Sequence, residues 1–384
     1  MRSIWVNAEA LVKNRFVLFL LVSRWVAAIV ATMYHARFLL FVNYDAAHDK
    51  GVLTKAFYFV TGLGHESYAV FFILDGIIAG LLLRRYPPAA SASRAVFRHA
   101  ASLYLILLPG LLVGASLDLA GSRLFGASGV YTDFPAFSVL SLSLTTLLAN
   151  LLMLQPFVVP NFGSNSMLYL LSYLFWALIL LFALVRARAP LVRGALCVAV
   201  VLIMPPQFLV WAAIWLTGVA LVFLSEARAF RPPPLLALAL CGGALVLSRM
   251  LGSMPSLPPA PFGELVVQGG FWLVGVGFAG LAWALYPRRS QDAPAGLASP
   301  AIESADGWAG QTASFTFFCH FPVIMLAAAM GASLFDDVLM QQPVAATYLR
   351  FAALVATCIA VAAFVTRGSA AVARALAVRK HVRA

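Results

Sequence analysis

Apolar residues run in long blocks along this chain, and the polar residues gather between them. A block of about 20 apolar residues is long enough to cross a bilayer as an α-helix. Ten blocks are predicted to do so: Phe16–Phe41, Glu66–Leu83, His99–Ser116, Ser166–Val185, Leu191–Met204, Gln207–Leu224, Pro234–Arg249, Val266–Tyr286, Thr312–Leu334 and Thr347–Thr366. The fifth and sixth are short and are divided by Pro205 and Pro206. An eleventh stretch, Phe137–Leu154, is interrupted by Ser138, Ser141, Ser143, Thr145 and Thr146 and is predicted to be re-entrant or interfacial. No internal repeat is evident. The expected fold class is all-α: a polytopic membrane protein of about ten transmembrane helices, forming one integral-membrane domain over residues 1–384.

Composition narrows this further. Of the 384 residues 62% are hydrophobic and only 10% are charged, with a mean hydropathy of +0.93. Soluble domains are nearer half apolar and a quarter charged, so a soluble domain, a disordered chain and a disulfide scaffold are excluded. The formal charge of +12 raises the question of a nucleic-acid partner, but the charge map answers it. If the N-terminus is placed in the cytoplasm, nineteen of the 26 Lys and Arg residues fall inside, five outside and two within the first span. The outer segments hold acids instead: Asp45, Asp49, Asp118, Asp133, Glu264, Asp336 and Asp337. Basic residues mark cytoplasmic loops, so the asymmetry predicts both termini inside, and the basicity describes topology, with no nucleic-acid partner. The first block lacks a small-residue cleavage site before it and reads as a retained helix rather than a signal peptide. Cys197, Cys241, Cys319 and Cys358 all lie in apolar runs without metal spacing, so no metal is expected.

Ionisable side chains at membrane depth are costly and are functional candidates by default. Arg24, His35, Arg37, Asp75 and His320 qualify, with His65 and Glu66 near an edge. Arg24 and His35 are eleven residues apart, which brings them within about 20° of one helical face and separates them by about 16 Å along the axis. That spacing suits a long ligand with an anionic end at Arg24 and a reactive end at His35. It suits equally an arginine reaching toward the interface and a packing histidine. Asp75, in Phe71-Phe72-Ile73-Leu74-Asp75-Gly76, needs a partner, and Arg24, Arg37 and His35 are candidates. The polar run Asn161–Ser166 offers hydrogen bonds at the start of the fourth span.

Four segments resemble the bacterial acyltransferase-3 family of integral-membrane enzymes that O-acylate surface glycans. Arg24 and His35, with Tyr34 before the histidine, are similar to that family's R-x10-H motif. Residues Gly64–Gly76, Phe162–Trp176 and Ser314–Pro322 resemble three further motifs, in the family's order. The resemblance implies an acyl-CoA donor, acetyl-CoA above all. It implies as acceptor a hydroxyl of a polysaccharide or lipid-linked sugar, and a multi-pass location in a bacterial inner membrane. It also implies catalytic roles for His35, Arg24 and His320; Asp75, from its own place at mid-span rather than from the family, is read beside them as an orienter of His35. Arg24 and Arg98 would meet the CoA anions, and Asn165, Ser166 and Tyr169 the substrate. Departures accompany it. Leu174 stands where many members have Glu, Tyr169 where they have Trp, Asp75 where they have Ser and Ser102 where a second arginine is frequent. Two alternatives therefore stay open, a proton-coupled small-molecule transporter or exporter and a catalytically silent relative.

Overall fold

The structure is a computed structural model. It describes residues 15–85, 92–132, 141–187, 189–227, 231–254, 262–287, 307–335 and 339–382. Thirteen helices account for most of them: α1 (Arg15–Leu40), α2 (Val52–Val60), α3 (Gly64–Arg85), α4 (Ala92–Leu124), α5 (Leu144–Leu151), α6 (Leu168–Arg186), α7 (Pro190–Ile203), α8 (Pro206–Ala227), α9 (Pro234–Gly252), α10 (Phe262–Leu285), α11 (Trp308–Cys319), α12 (Phe321–Phe335) and α13 (Ala345–Val382). No strand occurs among the described residues, only an isolated bridge between Phe41 and Gln341. The chain is an all-α polytopic membrane protein.

Eight of the predicted spans are helices long and apolar enough to cross a membrane: α1, α3, α4, α6, α8, α9, α10 and α13. Two differ from expectation. The ninth predicted block is two helices, α11 and α12, bent by 58° at His320. The cause is Pro322, which has no N–H to donate and whose ring crowds the carbonyl a turn earlier. The chain restarts by turning the amides of Val323 and Ile324 onto the His320 carbonyl. The fifth block, α7, has 14 residues and so measures roughly 21 Å, less than a hydrocarbon core of about 30 Å. It starts at Pro190, a residue suited to a first helical turn, and ends at Met204, before Pro205 and Pro206. Within Phe137–Leu154 the described part holds only the eight-residue α5, whose N-terminus is capped by Ser143 on the Thr146 amide. The connection Pro287–Gln311, whose Ser, Ala, Gly and Pro content predicts a flexible linker, lies largely outside the described residues.

The described residues form two compact units. The first draws on Met1–Ala27, His65–Ser102 and Tyr173–Ala305, the second on Ala28–Gly64, Leu103–Ser172 and Asp306–Ala384. In the first unit α3 and α8 cross backbone to backbone. A Cβ at Gly76 would collide with the Trp215 carbonyl, and one at Gly218 with the Ile73 carbonyl. Small residues permit such close approach between membrane helices, where packing rather than water expulsion drives association. α9 and α10 pair antiparallel, with Gly270 against Ser248 and Gly277 against Cys241.

In the second unit the core gathers Ala36, Leu39, Leu40 and Phe41 of the α1 end with Phe321, Ile324, Met325 and Ala328 of α12. Phe41, Phe57, Tyr348 and Phe351 form an aromatic cluster beside it, with centroids 4.8–5.7 Å apart. Backbone bonds from Gln341 to Leu40 and from Val42 to Gln341 clasp this end of α1.

Candidate functional site

His35 and His320 meet in the second unit. His320 Nε2 lies 2.9 Å from His35 Nδ1, and the residues are 8% and 1% exposed. Each ring also faces the carbonyl one turn back: His35 Nδ1 is 3.1 Å from the Ala31 oxygen, and His320 Nδ1 is 2.7 Å from the Thr316 oxygen. A carbonyl only accepts, so His320 Nδ1 carries a proton and donates it to Thr316. Neutral His320 then has its lone pair on Nε2. His35 Nδ1 must be the donor to that lone pair, which agrees with its second contact to Ala31. The remaining lone pair of His35 is therefore on Nε2. Two backbone carbonyls thus fix the tautomers of both rings, and they leave His35 as a base at Nε2. A proton taken there makes an imidazolium whose Nδ1–H is already received by His320. The Phe321 ring stands edge-on to His35, 5.3 Å between centroids.

The bend between α11 and α12 is what places His320. It caps α11, and Cys358 Sγ of α13 points toward its carbonyl at 3.9 Å.

The run Asn161–Ser166 also belongs to the second unit. Asp118 of α4, which the sequence placed in an outer segment, is fully buried. Its Oδ2 accepts from the Ser164 amide at 2.7 Å and its Oδ1 from the Ser164 hydroxyl at 2.6 Å. Gly163 precedes it at φ +71°, with its α-carbon turned toward the Asp118 carboxylate. Asn150 holds the same loop through Pro160 and Phe162. Asn161 Nδ2 donates to the Ser166 carbonyl, and Gln155 Nε2 to that of Leu168.

The loop nevertheless leaves polar atoms unmet. Both carboxamide atoms of Asn165, Ser166 Oγ, Asn161 Oδ1 and Gln155 Oε1 are buried with no hydrogen-bond partner among the described residues. An unmet buried group costs about 1–3 kcal/mol, so such a concentration calls for a polar occupant. Asn165 sits beside the Cys319 thiol, next in sequence to His320. The Tyr131 hydroxyl is likewise buried without a partner among the described residues. Burial, with Asp118 nearby, pushes its phenol well up, so it stays protonated. Tyr169 is half-buried on the first turn of α6.

The other candidates lie in the first unit. Arg24 is buried with its guanidinium over the Phe71 ring at 5.6 Å. Asp75 takes two hydrogen-bonding partners the sequence did not suggest, beside Arg24, which it did. Its Oδ2 accepts from the Trp215 indole N–H at 2.8 Å and pairs with His99 Nε2 at 3.0 Å, and Arg24 adds its charge nearby. The group oriented by Asp75 is thus His99, while the orienting neighbour of His35 is His320. Neither His99, which opens the third predicted span, nor Trp215 is among the candidates the sequence offers. Arg98 is half-buried on α4, one residue before His99. Glu66 accepts from the Ser248 hydroxyl at 3.0 Å.

No protein-family model, curated protein or solved structure matches the chain.

Proposed function

We propose that this protein is an acyl-CoA-dependent O-acyltransferase of a bacterial inner membrane. It transfers an acyl group, acetyl by preference, to a hydroxyl of a surface polysaccharide or lipid-linked sugar. The observation that carries the reading is the His35–His320 pair, a tautomer-fixed imidazole base held inside a membrane-spanning helix. The motif resemblance supplies the reaction class.

In this reading His35 Nε2 removes the proton of the acceptor hydroxyl as its oxygen attacks the thioester carbon. The tetrahedral intermediate expels CoA as a thiolate, which takes the proton back from His35. An ester forms, a thioester breaks, and His35 ends unchanged. His320 positions His35 and receives its Nδ1–H throughout, a neutral counterpart of the carboxylate that holds the histidine in serine hydrolases. Arg24 and Arg98 supply the positive charge that a polyanionic CoA requires, an assignment resting on the motifs. Asp75 holds His99 beside Arg98.

A positioned base contributes about 10²–10⁴-fold. The test is transfer from labelled acetyl-CoA to glycan in inverted membrane vesicles. Wild-type protein labels glycan, and His35→Ala loses about that factor. If wild-type vesicles label no glycan, or His35→Ala labels it equally, the reading is wrong.

A further inference from the structure

The unmet atoms of the loop over residues 155–166 have a chemistry of their own. They come from two carboxamides that receive nothing at oxygen, one that meets no polar group stronger than the Cys319 thiol, and one hydroxyl. All are neutral, and together they offer donors and acceptors in mixture. Asn165 is 1% exposed and Gln155 fully buried. Among the described residues the acid in contact with the loop is Asp118, and it already has both oxygens committed to Ser164. No Lys or Arg occurs anywhere between Arg123 and Arg186. An anionic sugar or phosphate would find no cation on this loop. An ammonium group would find no carboxylate with a free oxygen in contact with the loop among the described residues.

We infer that this loop binds an uncharged, hydroxyl-rich ligand: a neutral sugar, held by Asn165, Gln155, Asn161 and Ser166, with Asp118 as the positioning residue that pins Ser164. Hydroxyls both donate and accept, so a sugar ring matches the unmet set without leaving a charge buried. The inference deepens the acyltransferase reading and rests on it for one point, that the bound sugar is the acceptor. Asn165 beside Cys319 puts this amide next to the residue that precedes His320, in the same unit as His35. Gln155 carries no motif and is not recognisable as a ligand from the sequence, whereas Asn161 opens the polar run that the sequence singles out.

The experiment uses the full chain in lipid nanodiscs. Saturation-transfer NMR is recorded with a panel of neutral trisaccharides of glucose, galactose and rhamnose, and with trigalacturonate as the charged control. Neutral probes receive saturation and trigalacturonate does not. Asn165→Leu and Gln155→Met, close in shape but apolar at the tip, each lower the signal at least tenfold. Asn165→Leu leaves the melting temperature level or raised, because the only polar contact it gives up among the described residues is the weak one to the Cys319 thiol. The site is overturned if no neutral trisaccharide is contacted, or if trigalacturonate is contacted equally. It is also overturned if Asn165→Leu lowers the melting temperature while binding persists, which makes the amide structural. The two readings separate cleanly. Sugar binding without acetyl transfer from wild-type protein sinks the acyltransferase reading and keeps the site. Transfer with an unchanged acceptor KM in Asn165→Leu sinks the site and keeps the enzyme.

Discussion

Two buried polar regions of this protein solve the same problem in opposite ways. Around Asp75 the protein answers charge with its own groups: the indole of Trp215, the imidazole of His99 and the charge of Arg24. Around His35 and the loop over residues 155–166 it does not. There the histidines are locked by carbonyls, and amide and hydroxyl atoms in the same unit stay unmet among the described residues. A polar group matched from within serves the fold. A polar group held in place but left unmatched is prepared for something that arrives. The comparison moves Asp75 from the catalytic side, where its rarity in an apolar run put it, to the structural side.

The largest effect should follow from breaking the self-matched region. Asp75→Ala leaves the buried partners of the carboxylate unpaired and is expected to cost about 3–5 kcal/mol. It should show as lost folded protein in membranes or a sharply lowered unfolding temperature. The Asp75→Leu, His99→Phe double variant should recover part of that loss, because the carboxylate–imidazole pair is removed from both sides and only the Trp215 N–H and the Arg24 charge still miss the carboxylate. If Asp75→Ala folds normally and loses only transfer, Asp75 belongs with the catalytic residues after all.

The next effect tests the other side. His320→Phe keeps a ring at the bend but removes the acceptor for His35 Nδ1. The expected result is a drop of about 10²-fold in kcat, equivalent to about 2.7 kcal/mol, with both KM values steady and folding retained. A variant that misfolds instead would make the histidine pair a packing device, matched from within like Asp75.

The sequence made the spans legible because their cause is local: a long apolar block has no other stable home. It also exposed Arg24, His35, Asp75 and His320, since any ionisable group stands out in such a block. What it hid was pairing. His35 and His320 are 285 residues apart, and the carbonyls that orient them belong to ordinary helical turns. Trp215 lies among apolar neighbours, where an indole N–H reads as packing. Its role depends on the Gly76 and Gly218 crossing, which brings α8 onto α3. Asp118 read as a loop acid because α4 continues to Leu124, beyond the predicted end at Ser116. The break at Pro322 had a visible cause, but its bend of 58° at His320 has meaning only once His35 is seen beside it.

A smaller effect is expected at the support of the unmatched loop. Gly163 has φ +71°, where an L side chain costs about 1–2 kcal/mol, and an added methyl would press on the Asp118 carboxylate. Gly163→Ala should therefore lower the unfolding free energy by roughly that amount. It should also weaken sugar binding through Ser164. Binding unchanged alongside the stability loss would detach Asp118 from the site.

The smallest effect comes from a third acid, which shows what burial contributes by lacking it. Asp49 is solvent-exposed before α2, where its oxygens accept from the Gly51 amide at 2.8 Å and the Thr54 hydroxyl at 2.7 Å. Those bonds favour the anion and hold its carboxyl below the ordinary value of 3.8. A lowered folded value means the contribution is fully present above about pH 4. It fades as the pH falls through the lower folded value. Hydrogen exchange at the first amides of α2 should accordingly quicken below about pH 4 in the wild type. In Asp49→Asn that pH step should be missing. The change should stay local, because water solvates this carboxylate in either state. Should Asp49→Asn instead destabilise the whole protein as Asp75→Ala is expected to, burial would not be what separates the two acids.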